Sequence, residues 1–440
     1  MLPPGPKGKF LTGVLDDYRR DALGFFSNCA RDYGDFVPMR FGPEKVFLVS
    51  HPDLIDEVLV QNYRNFTKGP ALRNNRLVFG NGLLTSEGDF WRQQRKLAQP
   101  AFHRERISAY AQVMVDCTMR QLAHWKDGET RDIHEDMMRI TMEIAARTLF
   151  GAGVDGIAHE VAGCMHVLQE GVMRRFQGLI NIPEWVPLPS HLRLQKAVKK
   201  LDSIVYGFIS DRRKSGEDRG DLLSALLNVQ DEDGSRMSDR QLRDEVLTLF
   251  LAGHETTALA LTWILMLLAQ NPESESRLIG EIESNLQGKL PTIDDRDKLP
   301  YTEQVVLEGL RLYPPAWAVA RTAIDACTIG GYPVPRKGII LILQSVVHRD
   351  ARWYENPDEF QPERWANDFA KRLPRHAYFP FGGGPRTCIG NTFSMVEAVM
   401  LLATLTQQYS FKLKPDHPIV LQPAITLRPK HGLLMTVCRR

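Results

Sequence analysis

One of the six cysteines in this 440-residue chain sits where a sulfur could do chemistry. Cys388 closes the stretch Phe381-Gly382-Gly383-Gly384-Pro385-Arg386-Thr387-Cys388-Ile389-Gly390. Glycines ahead of it let backbone N–H groups approach the sulfur, because no Cβ stands in the way. The amphipathic run from Phe393 to Leu405 reads as a helix, so the sulfur lies at a helix mouth, in a field that favours the thiolate. A thiolate there is a nucleophile or a metal ligand. A lone thiolate in a glycine-rich loop, with an arginine two residues away, suits a heme iron, whose propionates need a cationic partner. The ordinary alternative is a glycine-rich turn around a buried, inert cysteine.

A second group interrupts an otherwise apolar run: Ala252-Gly253-His254-Glu255-Thr256-Thr257. Polar groups inside a buried helix are costly and need a reason. A threonine bonding to its own helix backbone accounts for one of them, less easily for the whole cluster. Two further pairs share helix faces: Trp91 with Arg95, four apart, and Glu308 with Arg311, three apart.

These residues must be held by elements whose limits are written in the sequence. Ser238 with Gln241 forms a capping box, and Asn271-Pro272 ends the element it opens. A single helix between them would span roughly 50 Å. Its second half, Ala258–Ala269, is nearly all apolar and is expected to be buried. A membrane span is rejected because the polar group at 253–257 breaks the run. Asn271 reads as the cap of the next helix, with Pro272 at its first position. Ser86, with Asp89 three residues on, reads as the cap of the helix carrying Trp91 and Arg95, which Pro100 ends. A helix over Leu299–Tyr313 stops at Pro314-Pro315. Phe36–Phe41 and Lys45–Ser50 read as a hairpin about Gly42-Pro43. Helical periodicity dominates residues 105–230, clearest over Arg131–Phe150 and Leu192–Arg212, with prolines precluding regular helix in Asn181–Pro189. Short strands are expected at Ile329–Pro335 and Ile339–Gln344, and Phe411–Val437 is β-like.

Composition bounds the rest. With 43% hydrophobic and 25% charged residues the chain can bury a large core. A net charge of +2 gives no strong pull toward nucleic acid. Cys29, Cys117, Cys164, Cys327 and Cys438 are scattered without a C-x-x-C pair, so neither a zinc site nor a disulfide framework is suggested. That fits a reducing, cytoplasmic setting. The start, Met-Leu-Pro-Pro-Gly-Pro, has no apolar core of a signal peptide, and no membrane span is expected.

Phe381, Gly384, Arg386, Cys388 and Gly390 fill the pattern F-x-x-G-x-R-x-C-x-G of the cytochrome P450 family. The chain resembles that family in three further places. Ala252–Thr257 matches [AG]-G-x-[DE]-T-T, Trp91 and Arg95 match W-x-x-x-R, and Glu308 and Arg311 match E-x-x-R, followed at the family's spacing by Pro362-Glu363-Arg364-Trp365. The resemblance covers nearly the whole chain, with every signature in family order.

It implies one mainly α-helical heme domain over 1–440 with a small β-rich lobe, and heme b between the long central helix and the cysteine-loop helix. Cys388 would ligate the iron. Trp91, Arg95, Arg321 and Arg386 would hold the propionates, and Ala252, Phe381 and Gly390 would border the ring. Glu255 and Thr256 would deliver protons to bound oxygen through water, with Gly253 widening the helix to make room. Glu308, Arg311 and Arg364 would form a structural triad. Leu83, Leu84, Leu251, Ala316 and Val319 would line the substrate pocket. The implied reaction inserts one atom of dioxygen into a hydrophobic substrate, a fatty acid first and a terpenoid or steroid second. Electrons would come from NAD(P)H through a ferredoxin or flavodoxin and its reductase. Arg92, Lys96, Arg104 and Arg106 would offer that donor a basic patch. The rivals are a hydrogen-peroxide-dependent peroxygenase, which usually lacks the acid–threonine pair, and a non-catalytic heme-thiolate binding or sensor protein, which needs no proton route.

Overall fold

The computed structural model describes residues 2–73, 79–151, 186–230 and 236–440, with 160, 161, 163, 164, 167, 168, 170, 171 and 234 between them. Its longer helices are α1 (Ala22–Tyr33), α2 (Gly88–Ala98), α3 (Arg104–Leu122), α4 (Ile133–Phe150), α5 (Pro189–Ser215), α6 (Asp239–Gln270), α7 (Pro272–Leu286), α8 (Pro300–Leu312) and α9 (Asn391–Gln408). The strands are β1 (Phe36–Phe41), β2 (Glu44–Val49), β3 (Phe66–Lys68), β4 (Thr130–Asp132), β5 (Val319–Ala323), β6 (Cys327–Ile329), β7 (Tyr332–Val334), β8 (Ile339–Ile342), β9 (Tyr409–Leu413), β10 (Leu421–Pro423), β11 (Leu427–Pro429) and β12 (Leu434–Arg439). Most of the irregular stretch expected at Asn181–Pro189 lies outside the described residues.

Helix α6 organises the molecule. Ser238 and Gln241 form the reciprocal capping box at its start. Its 32 residues run unbroken through Gly253, so the expected local widening is not found. It is long and apolar enough to cross a membrane, yet 83% of its most apolar stretch is buried inside the protein, as befits a core helix. Two hydrophobic cores meet along it. Ala258–Leu268 packs with α3, α4, α8 and α9, while Leu242–Leu251 packs with α5, Trp91 and the far end of α4. The polar group 252–257 falls on the seam between them.

The β-rich lobe is a five-stranded sheet in the order β1-β2-β8-β5-β3, parallel only at β2–β8, where Val46 faces Ile339. A second sheet, β4-β12-β9, ties the start of α4 to the C-terminus. The hairpin β10–β11 reaches back toward α6. Trp317 Nε1 donates to Ala424 O at 2.8 Å and Trp263 Nε1 to Leu427 O at 3.1 Å, fixing the hairpin on both sides of its turn.

Two expected caps are corrected. Glu87, not Ser86, precedes α2, with no side-chain capping bond, because its carboxylate is drawn to Arg386 and the Lys68 N–H instead. Asn271 stands at the N-cap position of α7, with Pro272 first in the helix, but gives that helix no side-chain bond. Its amide donates back to Leu267 O at 2.7 Å, finishing α6.

The expected triad is present. Fully buried Glu308 accepts from Arg311 Nε and Nη2, both at 2.8 Å, and from Arg364 Nε at 3.0 Å. Trp365 Nε1 and the Gln361 N–H add 2.9 Å bonds. Arg311 Nη1 reaches the carbonyls of His348 and Pro357. Every polar atom of the pair is thus used, which a buried ion pair requires if it is not to cost stability. Glu308→Gln leaves Arg311 buried without its counter-charge and is expected to cost about 3–5 kcal/mol, read as a lowered urea midpoint at unchanged slope.

Candidate active site

The cysteine loop is fixed by contacts to distant parts of the chain. Gly384 has φ +68°, and a Cβ there would collide with the Leu59 carbonyl oxygen, so only glycine fits. The Cys388 N–H donates to Phe381 O at 2.9 Å and closes the loop. Thr387 O accepts from Arg95 Nη1 at 2.7 Å, which ties the loop to α2. Cys388 is exposed although the loop lies deep in the fold, so its sulfur faces an internal space. Burial pushes the free thiol up, while the Gly390 N–H and the Arg95 charge pull it back down. The helix-mouth field alone therefore does not make the thiolate. An iron bound there would complete the ionisation.

Across α6 the surface has the complementary character. Ala252 is exposed and Gly253 and Thr256 half-buried, in a helix whose neighbouring turns are buried. A side chain added at Gly253 would meet nothing within 4 Å. Small residues thus leave room without distorting the helix. Thr256 Oγ1 donates to Ala252 O at 2.9 Å, the ordinary back-bond. Thr257 bonds Ser394 on α9 at 3.1 Å.

The expected propionate partners gather on one side. Arg386 stacks over Trp91, 4.3 Å from its ring centre, and pairs with Glu87. Arg321, held by burial and Arg386 at about 10, bonds among the described residues only a neighbouring carbonyl, Ala320 O, at 3.0 Å. Lys68, which sequence reasoning missed, joins them. Burial, with Arg386 and Arg321 nearby, brings it down to about 7. Arg386, Arg321 and Lys68 outnumber the Glu87 carboxylate among them, which suits anionic propionates. Lys68 also donates to Leu83 O at 2.5 Å, while Glu245 accepts the Leu83 N–H at 3.0 Å.

Leu83, Leu84 and Leu251 share one apolar cluster with Ile389, beside the cysteine, and Ile425, at the β10–β11 turn. Val319 packs instead with the strands, and Ala316 is half-buried outside that cluster. Arg92 is paired with Asp89 and Arg106 lies against Asp218, so the basic patch is partly neutralised.

Glu255 is not beside the Thr256 hydroxyl in its bonding. Its Oε1 accepts from Thr426 Oγ1 and from Arg428 Nε at 2.9 Å and Nη2, all from β11 and the turn before it. No motif flagged Thr426 or Arg428. The one available signal was that a buried carboxylate needs a cation somewhere.

The donor set, the open cradle at Ala252–Gly253 and the cationic pocket fit a heme held by cysteine. A long helix facing a cysteine loop in this way defines a heme-thiolate oxidoreductase scaffold. The chain belongs to the cytochrome P450 family: the family model Cytochrome P450 matches residues 3–436. It is 38% identical to cyclooctat-9-en-7-ol 5-monooxygenase of Streptomyces melanosporofaciens, covering 92% of this chain and 88% of that one. It is 36% identical to pentalenene oxygenase of Streptomyces avermitilis, covering 90% and 88%. The solved structure of retinoic acid bound cyanobacterial CYP120A1 superposes with a TM-score of 0.88 at 26% identity, over 100% of this chain and 99% of that one. The protein is thus a P450 enzyme using heme, dioxygen and reducing equivalents passed from NAD(P)H by redox partners, on a hydrophobic substrate.

Burial pushes the Glu255 carboxyl up, but the Arg428 charge and the bonds from Thr426 and Arg428 outweigh it and hold the group below its ordinary value. A depressed folded pKa adds stability above the unfolded value, about 4.3, which is lost as pH falls through the folded one. Arg428→Met should therefore be least stable relative to the unmodified protein near neutral pH. The gap between their urea midpoints should narrow on acidification toward about pH 4, as Glu255 of the variant takes up its proton.

Proposed function

We propose that the enzyme hydroxylates a terpenoid. What carries this choice over a fatty acid is the pair of relatives whose names give cyclooctat-9-en-7-ol and pentalenene as substrates. The apolar wall of Leu83, Leu84, Leu251, Ile389 and Ile425 supports a compact hydrocarbon skeleton, oriented by shape rather than by charge. The electron donor is proposed to be a ferredoxin or flavodoxin with its reductase, in the cytoplasm.

In this reading Cys388 ligates the iron, and Trp91, Arg95, Arg321 and Arg386, with Lys68, hold the propionates. The bound heme supplies dioxygen binding and its activation. The chain's own groups manage protons and water. One turnover consumes dioxygen, two electrons and two protons, giving hydroxylated product and one water. Thr256 turns its hydroxyl from Ala252 O to hold a water at the open face of α6. Glu255, released in part from Arg428, passes protons to that water. The apolar cluster keeps other water out. A peroxygenase or a sensor would not need the Glu255–Thr256 pair.

Two measurements test this. Diterpene and sesquiterpene alcohols and hydrocarbons should shift the heme absorption as iron-bound water leaves, at lower concentration than long-chain fatty acids do. Tighter response to fatty acids would reverse the choice. Thr256→Val should still take up electrons and oxygen, but release much of the oxygen as hydrogen peroxide, so that product per reductant falls. An unchanged ratio would leave Thr256 as a helix residue bonding its own backbone.

A further inference from the structure

Leu83 is held at both of its peptide groups by buried side chains of opposite charge. Its N–H donates to Glu245 Oε2 on α6 at 3.0 Å, and its carbonyl accepts from Lys68 Nζ on β3 at 2.5 Å. Glu245 is 1% exposed and Lys68 6%. A carboxylate or an ammonium is expensive to bury, and a connecting turn ordinarily needs neither. Glu245 Oε1 has no hydrogen-bond partner among the described residues. This carboxylate is therefore unlike that of Glu308, whose two oxygens brace several segments at once. The bond it makes goes to the Leu83 N–H.

The rest of the segment is pressed onto α6. The Asn81 N–H donates to Asp244 Oδ2, and Arg243 Nη1 donates to Asp244 Oδ1, both at 2.8 Å. A Cβ at Gly82 would collide with Thr248 Oγ1 and Asp244 O, so only glycine lets the two chains approach this far. From Gly82 the chain makes one helical turn, with the N–H groups of Thr85 and Ser86 both returning to Gly82 O at 2.9 Å. Leu83 and Leu84 are the residues that this turn carries. On its far side the Lys68 N–H donates to Glu87 Oε1 at 2.7 Å, so β3 grips the turn at two points. An ammonium has three donors, and the bond to Leu83 O leaves two for an anionic ligand. Glu245 itself lies about two turns before Ala252, on the same face of α6.

We propose that Glu245 is a positioning residue for substrate. Through Leu83 it sets where the Leu83–Leu84 wall stands, and so which part of a bound skeleton meets the heme. Bonds made by a charged group are about twice as strong as neutral ones, so the turn is held at its centre from both sides. Leu83 and Leu84 share their apolar cluster with Leu251 and with Ile389, beside the cysteine, so a displaced turn is a displaced wall. Glutamine at 245 keeps an acceptor for the Leu83 N–H. Leucine keeps the packing and loses the bond.

This rests on Leu83 and Leu84 lining the substrate space, and the experiment separates the two ideas. Imidazole and phenylimidazole probe the ferric holoenzyme, because both ligate iron through nitrogen and only the second reaches the wall. Their dissociation constants are read from the heme absorption. Glu245→Leu should weaken phenylimidazole several-fold relative to imidazole, and Leu83→Ala should do the same. Glu245→Gln should keep the ratio of the unmodified enzyme. Arg131→Met, which breaks ion pairs to Glu129 and Asp136 at the start of α4, should lower the urea midpoint and leave the ratio alone. In the unmodified holoenzyme the Leu83 amide should exchange its hydrogen as slowly as the neighbouring turns of α6. A shift in Leu83→Ala with none in Glu245→Leu overturns the positioning role alone. No shift in either removes Leu83 from the substrate space as well. A shift in Arg131→Met as large as that in Glu245→Leu reduces the effect to lost stability and overturns the proposal. Fast exchange at Leu83 overturns it even if Glu245→Leu fails to fold.

Discussion

A helix buried along nearly its whole length can expose its backbone groups nowhere and its side chains in few places. Helix α6 meets that constraint by lying between two hydrophobic cores, one behind each half. The seam is the one stretch where neither core covers it, and it is filled by residues too small or too polar to belong to either. Ala252 and Gly253 give up volume there, and Glu255 and Thr256 give up apolar character. The first pair leaves space, and the second gives that space hydrogen-bonding groups. The rest of the molecule serves to keep the seam at a fixed distance from the cysteine loop.

Charge follows the same logic. Glu308 with Arg311 and Arg364 is closed, with every donor and acceptor matched inside the protein. The group around Arg386 is open: Arg321 and Lys68 are held below their ordinary values by burial and by Arg386, and Glu87 offsets only part of their charge. A set of like charges that destabilise one another is kept where an anionic ligand can relieve them. The first arrangement contributes to the fold alone, and the second stores free energy for binding.

Sequence pattern revealed the elements whose limits rest on local chemistry. The capping box at Ser238, the proline stops and the hairpin about Gly42 all lie within a few residues of what they determine. The family signatures drew attention to Cys388, Glu255, Trp91, Arg95 and the Glu308 triad. What stayed hidden depends on long-range pairing. Arg428 and Thr426 are ordinary residues of a short hairpin until the fold lays them against Glu255. Lys68 belongs to no motif, and only the neighbouring arginines make it unusual. Ser86 and the Asn271 side chain failed as caps for the reverse reason. Their sequence context was right, but a carboxylate drawn elsewhere in one case, and a carbonyl needing a donor in the other, took precedence.

The cysteine loop also says something about the order in which the molecule can be made. Its positions are fixed by residues that leave the ribosome far earlier: Arg95 on Thr387 and Glu87 on Arg386, at separations of 292 and 299 residues. Neither of these contacts can form until most of the chain is complete, and closing such long spans is slow. During synthesis the early helices and strands must therefore wait with the cradle half built and its like charges unrelieved. Assembly of the cofactor site is then a late event, belonging to the finished chain rather than to any growing part of it.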